Sequence, residues 1–99
     1  IAAEYPGSID QATEALQRAG KLYEKSKSYE KAIDQYMSVH NNYPQTEGAL
    51  VNLEKCAKLY EKKLERNDKA REILNIIIMD FPETKSAKKA AKRLKKLNK

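Results

Sequence analysis

Two residues are of types that often serve in catalysis or metal binding: the single histidine, His40, and the single cysteine, Cys56. Such chemistry needs a cluster of convergent groups. No Cys, Asp or Glu stands at a metal-binding spacing from His40, and Cys56 falls at an apolar packing position, where a buried thiol is the usual role. A phosphate-binding loop, a nucleophile elbow and a zinc motif are also missing from the sequence. The sequence therefore predicts no catalytic residue, no metal site, no cofactor and no enzyme.

The basic residues are concentrated at one end of the sequence. The formal net charge is +6, but residues 85–99 contain eight of the 20 basic residues and none of the 14 acidic ones. The rest of the chain is therefore slightly acidic, with 12 basic and 14 acidic residues. A solvated lysine face near a helix C-terminus is the ordinary interpretation. The alternatives are an acidic protein partner, an anionic surface or nucleic acid.

Composition favours a helical fold. The chain has 40% hydrophobic and 34% charged residues, with only three Gly and three Pro, too few for many tight turns. Its longest apolar run, residues 76–79, is far shorter than the roughly 18 residues of a membrane span. We therefore expect an all-α chain without a membrane span.

A repeated signature gives the elements their positions. Tyr5-Pro6-Gly7-Ser8, Tyr43-Pro44-Gln45-Thr46 and Phe81-Pro82-Glu83-Thr84 each combine an aromatic residue, a proline and a hydroxyl, at intervals of 38 residues. Proline cannot continue a helix, and the hydroxyl two residues later is a good N-cap, completed at Ser8 by Gln11 as a capping box. Each signature therefore predicts the end of one helix and the start of the next.

Between the signatures, apolar residues recur at helical spacing. Ser28 and Asn67 can cap second helices, and the small residues Gly20 and Ala57 indicate close helix contacts. The predicted helices cover residues 9–26, 29–42, 47–64, 67–80 and 85–97.

With these spacings, the sequence resembles the tetratricopeptide repeat (TPR) family. The resemblance implies an all-α, right-handed solenoid of antiparallel helix pairs, with about two full repeats and a C-terminal capping helix. The whole of 1–99 is then one domain: 1–6 ends a preceding repeat, 8–44 is repeat 1, 46–82 is repeat 2 and 84–99 is the capping helix. The residues that match the family pattern are Leu16, Ala19, Gly20, Tyr23, Ala32, Tyr36, Val39 and Pro44, then Leu53, Cys56, Ala57, Tyr60, Ala70, Leu74, Ile77 and Pro82.

The resemblance also implies a function and a surface for it. TPR proteins are binding scaffolds whose first helices line a concave groove, which here becomes basic toward the C-terminus and suits a peptide or helix with an acidic segment. The groove-facing positions are Glu14, Gln17, Lys21, Glu24, Lys25, Val51, Glu54, Lys58, Glu61, Lys62, Lys89, Lys92 and Lys96.

The signatures resemble one branch of the family more narrowly. Tyr-Pro-x-Ser/Thr starts and the final Phe81-Pro82-x-Thr84-x-x-Ala87 segment look like bacterial cell-envelope TPR proteins, such as those of the Tol-Pal system or of outer-membrane assembly. This implies a periplasmic or cell-envelope location, with the cytoplasm as the alternative. Three functions remain open: a protein-interaction module, a binder of nucleic acid or anionic surfaces through the lysine-rich helix, and a spacer without a ligand.

Overall fold

The computed structural model describes the backbone of residues 6–97 and the side chains of residues 11–97. Its five helices are α1 (Pro6–Lys25), α2 (Tyr29–Asn42), α3 (Glu47–Lys62), α4 (Asn67–Asp80) and α5 (Lys85–Leu97), and the described chain has no strand. The predicted all-α fold of five helices is confirmed, and each helix packs mainly on its neighbours in the chain. The predicted end of a preceding repeat, at 1–6, lies almost wholly outside the described residues.

Two of the three signatures cap a helix as predicted. The Oγ1 atoms of Thr46 and Thr84 accept hydrogen bonds of 3.1 Å from the backbone N–H groups of Ala49 and Ala87. Each hydroxyl also donates back, over 2.8 Å, to the carbonyl of the aromatic residue three positions earlier. The hydroxyl thereby ties the end of one helix to the start of the next.

The first signature behaves differently. α1 is already helical at Pro6, so Ser8 lies inside the helix and the prediction of a start near residue 9 with Ser8 as N-cap is wrong. Proline is tolerated in a first turn because its missing N–H would have no partner within the helix. Pro6 can therefore belong to α1 where Pro44 and Pro82 stand outside helices.

The turns within each repeat reverse the chain through left-handed residues. Lys27 and Glu65 have φ angles of 63° and 53°, which let the chain turn directly after α1 and α3. Ser28 occupies the predicted N-cap position of α2, but its side chain makes no capping hydrogen bond. Asn67 is the first residue of α4 and Arg66 holds the cap position, so the predicted cap at Asn67 is wrong by one residue.

The centre of the molecule is a continuous apolar cluster between the helices. Tyr36, Leu53 and the small residue Ala32 are fully buried in it. Ala70, the residue of α4 that matches Ala32 in the repeat pattern, is fully buried as well. In α5, Ala87 and Ala90 are buried. Ala91, the neighbour of Ala90 in the same helix, is exposed.

Candidate functional site

A groove of about 610 Å³ runs between α3 and α5. Its floor is apolar. Ala57 and Ala90 contribute small side chains, and Leu74 and Ile77 of α4 close the groove from behind. Because these two side chains are small, the groove is deep enough between α3 and α5 to take side chains of a bound molecule.

The walls of the groove are charged. Glu54, Lys58, Glu61 and Lys62 follow one another at helical spacing along α3, and Lys89 faces them from α5. All five were predicted to face the groove, and the structure brings them together around one floor. Their binding role stays a prediction. The remaining wall residues are Ser86 and Arg93.

One ion pair joins the two walls. Arg93 donates two hydrogen bonds to the carboxylate of Glu61, with Nε and Oε1 2.7 Å apart, and these bonds raise the pKa of the guanidinium. Bidentate pairs of this kind fix geometry as well as charge. The pair links α5 to α3, and it commits the Glu61 carboxylate to a contact within the chain.

Sequence reasoning missed Arg93 as a groove residue. The signal was present, since Arg93 follows Lys89 by four positions and precedes Lys96 by three, which places all three on one helix face. The same face carries a second, shallower depression of about 230 Å³, lined by Lys89, Lys92, Arg93 and Lys96. Among the described side chains, the three lysines take part in no ion pair. The predicted basic end of the groove is therefore present as a surface.

The predicted positions on α1 do not line the groove between α3 and α5. Lys21 and Lys25 are exposed, and Gln17 is half-buried. Glu14 is exposed and lies 3.8 Å from Arg18 on its own helix. Glu24 is committed elsewhere, because its carboxylate accepts a hydrogen bond from the buried hydroxyl of Tyr36. These residues remain candidates for a continuation of the concave face beyond the groove described above.

His40 and Cys56 have structural surroundings. His40 Nε2 lies 3.1 Å from Asp80 Oδ2, which links the end of α2 to the end of α4. Cys56 is fully buried, and burial, with the charges of Asp34 and Glu24, raises its thiol pKa to about 12. The thiolate is the reactive form of cysteine, so this environment makes the thiol inert near neutral pH. Within the described residues, no three His, Cys, Asp or Glu side chains form a group that could hold a metal ion.

Comparison with known proteins agrees with this architecture. The tetratricopeptide repeat family matches residues 14–46, which span most of α1, all of α2 and the following turn. No curated protein and no solved structure shows a significant match. Together with the paired helices, the family match supports the tetratricopeptide repeat family, whose repeats generally mediate protein–protein interactions and are typically non-enzymatic. Across residues 6–97, no helix combines the length and apolarity needed to cross a bilayer.

Proposed function

We propose that this chain is a non-enzymatic scaffold that binds a peptide or helix of a partner protein in the groove between α3 and α5. The observation that carries the proposal is the combination of an apolar floor and charged walls in one groove of about 610 Å³. Binding sites of this size typically pair apolar burial with a few polar groups that fix orientation. A partner segment can bury apolar side chains on the floor while its polar groups meet the walls.

The charges on the walls favour a partner segment with acidic residues. Lys58, Lys62 and Lys89 line the groove, and Lys92 and Lys96 extend the positive surface beyond it. Of the two acidic wall residues, Glu61 is already paired with Arg93, which leaves Glu54 as the main opposing charge. Complementary charge steers association and sets the register of a bound segment more than it adds affinity.

The proposal is tested by selecting ligands from a displayed library of random peptides. The wild-type protein should enrich peptides that combine apolar and acidic residues. The double variant Lys58→Glu/Lys89→Glu reverses two wall charges and should lose those peptides, with affinity falling by at least about tenfold.

Lys88→Glu is the matched control, because Lys88 precedes Lys89 on α5 and is exposed without lining the groove. It should bind the selected peptides as the wild type does. Absence of any enriched peptide would favour the spacer interpretation. Equal loss with Lys88→Glu would show that only the overall charge matters and would count against the groove.

We also propose that the scaffold works within a bacterial cell-envelope complex. The support is the style of the repeat signatures, in which Thr46 and Thr84 cap helices directly after aromatic-proline pairs. Protease treatment of intact source cells and then of spheroplasts tests the location of the full-length protein. Digestion only after the outer membrane is opened is the expected result. Protection in both would place the protein in the cytoplasm and remove this part of the proposal.

A second candidate function is binding of nucleic acid or an anionic surface through α5. The observation that favours it is the cluster of Lys89, Lys92, Arg93 and Lys96 around one shallow depression. Phosphate binding by several cations weakens steeply with salt, by orders of magnitude between about 50 and 200 mM. Titration of a labelled single-stranded oligonucleotide over that range, with Lys92→Glu and Lys96→Glu as variants, tests it. Binding that is already negligible at low salt would exclude this function.

A further inference from the structure

The two helices that flank the groove, α3 and α5, run in the same direction. Glu61 near the end of α3 pairs with Arg93 near the end of α5. The carbonyl of Leu97, the last residue of α5, also accepts a hydrogen bond from Arg71 near the start of α4, which follows α3 after the short turn 63–66. Both helices therefore finish at one end of the groove, which we call its C-terminal end.

The charges along the groove differ between its two ends. Glu54 and Ser86 are the first residues of α3 and α5 to line it, and residues 47–54 include no basic residue. At the C-terminal end, Lys62 lines the groove and Lys96 extends the positive surface on α5. Among the described side chains, neither lysine takes part in an ion pair. The groove is therefore acidic where it begins and basic where it ends.

The floor of the groove favours a helical ligand over an extended one. It consists of the side chains of Ala57, Leu74, Ile77 and Ala90, which offer no hydrogen-bonding group. A segment that buries its backbone on this floor must therefore satisfy its own N–H and C=O groups. An α-helix does so through its internal hydrogen bonds, whereas an extended segment would leave backbone groups unpaired over the floor.

The common direction of α3 and α5 also favours one direction for a bound helix. The negative ends of both helix dipoles lie at the C-terminal end of the groove. A helix that runs the opposite way brings its positive N-terminal end to that place. Acidic residues in its first turn would stabilise the bound helix and would also meet Lys62 and Lys96.

We propose that the partner segment is an amphipathic helix that lies antiparallel to α3 and α5, with an acidic first turn at the C-terminal end of the groove. Its apolar residues cover the floor, and a lysine or arginine meets Glu54. Lys62 and Glu54 are eight residues apart on α3, or about 12 Å, so the basic residue follows the acidic ones by about two turns. This assignment rests on the function proposed for the groove, to which it adds the conformation, direction and charge order of the segment.

The first test compares two helix-stabilised peptides of equal composition by NMR titration of the isotope-labelled chain. Both carry leucines at spacings of three and four. One has two glutamates in its first turn and a lysine two turns later, and the other has the two kinds of charge exchanged. The first peptide should bind about fivefold more tightly, because the second can match the charges of the groove only by running parallel to α3 and α5. Equal affinities would count against the proposal.

A nitroxide spin label at the N-terminus of the first peptide reports the direction of binding. The label should broaden the amide signals of Lys62 and Lys96 and spare those of Glu54 and Ser86. Broadening at Glu54 and Ser86, or equal broadening at both ends, would overturn the antiparallel direction. A proline in the middle of the peptide, at a position facing solvent, should abolish binding because it breaks the helix. Unchanged binding would show an extended segment and overturn the helical one.

A charge exchange tests the contact with Glu54. Glu54→Lys should weaken the first peptide by about tenfold, and replacing the lysine of the peptide by glutamate should restore binding to this variant. Glu72→Lys is the matched control, because Glu72 is exposed on α4 and does not line the groove. It should bind the first peptide as the wild type does, and equal binding by the two variants would contradict the charge order.

The outcomes separate this proposal from the function on which it rests. Peptides that shift the amide signals of the groove but fail the tests of direction, helicity or charge order would overturn the antiparallel helix and leave the groove as a binding site. If neither the designed peptides nor those selected from the displayed library shift these signals at about 1 mM, both proposals fail, since weaker binding would be of no consequence.

Discussion

Repeats 1 and 2 fill the space between their paired helices with side chains of different size. In repeat 1, Gly20 of α1 lies directly against the ring of Tyr36. In repeat 2 the equivalent positions hold Ala57 and Leu74, which belong to the same apolar core. A larger residue on the first helix is thus matched by a smaller one on the second. The comparison indicates that the summed volume of the two facing side chains matters more than the size of either one, because protein interiors are close-packed.

The largest expected effect comes from enlarging Gly20. A Cβ at this position would lie 2.6 Å from Cζ and 2.9 Å from Cδ1 of Tyr36, a fully buried ring with no room to move. Gly20→Ala should therefore cost about 1–3 kcal/mol in the free energy of unfolding, although alanine is the better helix former by about 1 kcal/mol. Urea denaturation of the variant and the wild type measures the difference.

Gly48→Ala makes the same change in the first helix of repeat 2 and is the control. There the added Cβ would meet the end of the Thr13 side chain, at 2.9 Å from Cγ2. Thr13 is half-buried and can change rotamer, so the variant should be as stable as the wild type or slightly more stable. A Gly20→Ala variant as stable as Gly48→Ala would contradict the account of repeat 1.

The next largest effect on stability is expected when Ala57 and Leu74 are replaced by the glycine and tyrosine that repeat 1 carries at the equivalent positions. Leu74→Tyr alone should overpack the contact with Ala57 and cost about 1–3 kcal/mol. Ala57→Gly alone should cost about 1 kcal/mol through helix propensity. The double variant reproduces the glycine and tyrosine of repeat 1, so it should be more stable than the sum of the single effects by about 1 kcal/mol or more. Additive effects in the double-mutant cycle would show that the two positions are not coupled.

The sequence predicted the order and spacing of the helices because their stops and starts are local. Pro44 and Pro82 interrupt the helical pattern, and the neighbouring threonines supply caps within three residues of the same segment. The same signature did not predict the start of α1. Pro6 is compatible both with a turn and with a first helical turn, and local chemistry does not decide between them.

The site was less predictable than the fold because it depends on contacts between distant residues. Glu61 and Arg93 are 32 positions apart, so the groove-facing pattern of α3 alone could not indicate that Glu61 is already paired. In the same way, Leu22 falls at the apolar spacing of α1, yet its side chain is exposed. Helical periodicity identifies a face but does not say which neighbour covers it.

Alkaline pH should reveal a further difference between the two repeats, because α3 carries a titrating residue, Cys56, where α1 carries Ala19. Burial raises the Cys56 pKa from the ordinary value of 9.0 to about 12, so the folded protein holds the proton more tightly than the unfolded chain. This contribution to stability is complete below the unfolded pKa and is lost as pH rises toward the folded value, by up to about 1.4 kcal/mol per pH unit. Urea denaturation between about pH 8 and 10 should show the decline.

Cys56→Ala serves as the comparison for the pH effect. It removes the titrating thiol and introduces alanine, the residue that repeat 1 carries at this position as Ala19. Its stability should be lower at neutral pH, because a small cavity is left, but it should fall less steeply in the same interval. Parallel declines in the variant and the wild type would assign the alkaline effect to other groups.

The smallest expected effect concerns the starts of the first helices. Thr46→Ala removes the hydroxyl that accepts a hydrogen bond from the Ala49 N–H at the start of α3, and should cost about 1 kcal/mol. Ser8 has the corresponding place in the signature of repeat 1 but lies within α1, where alanine is favoured over serine by a few tenths of a kcal/mol. Ser8→Ala should therefore leave the free energy of unfolding unchanged or slightly raised. A loss equal to that of Thr46→Ala would place the start of α1 at Ser8 and make the three signatures equivalent.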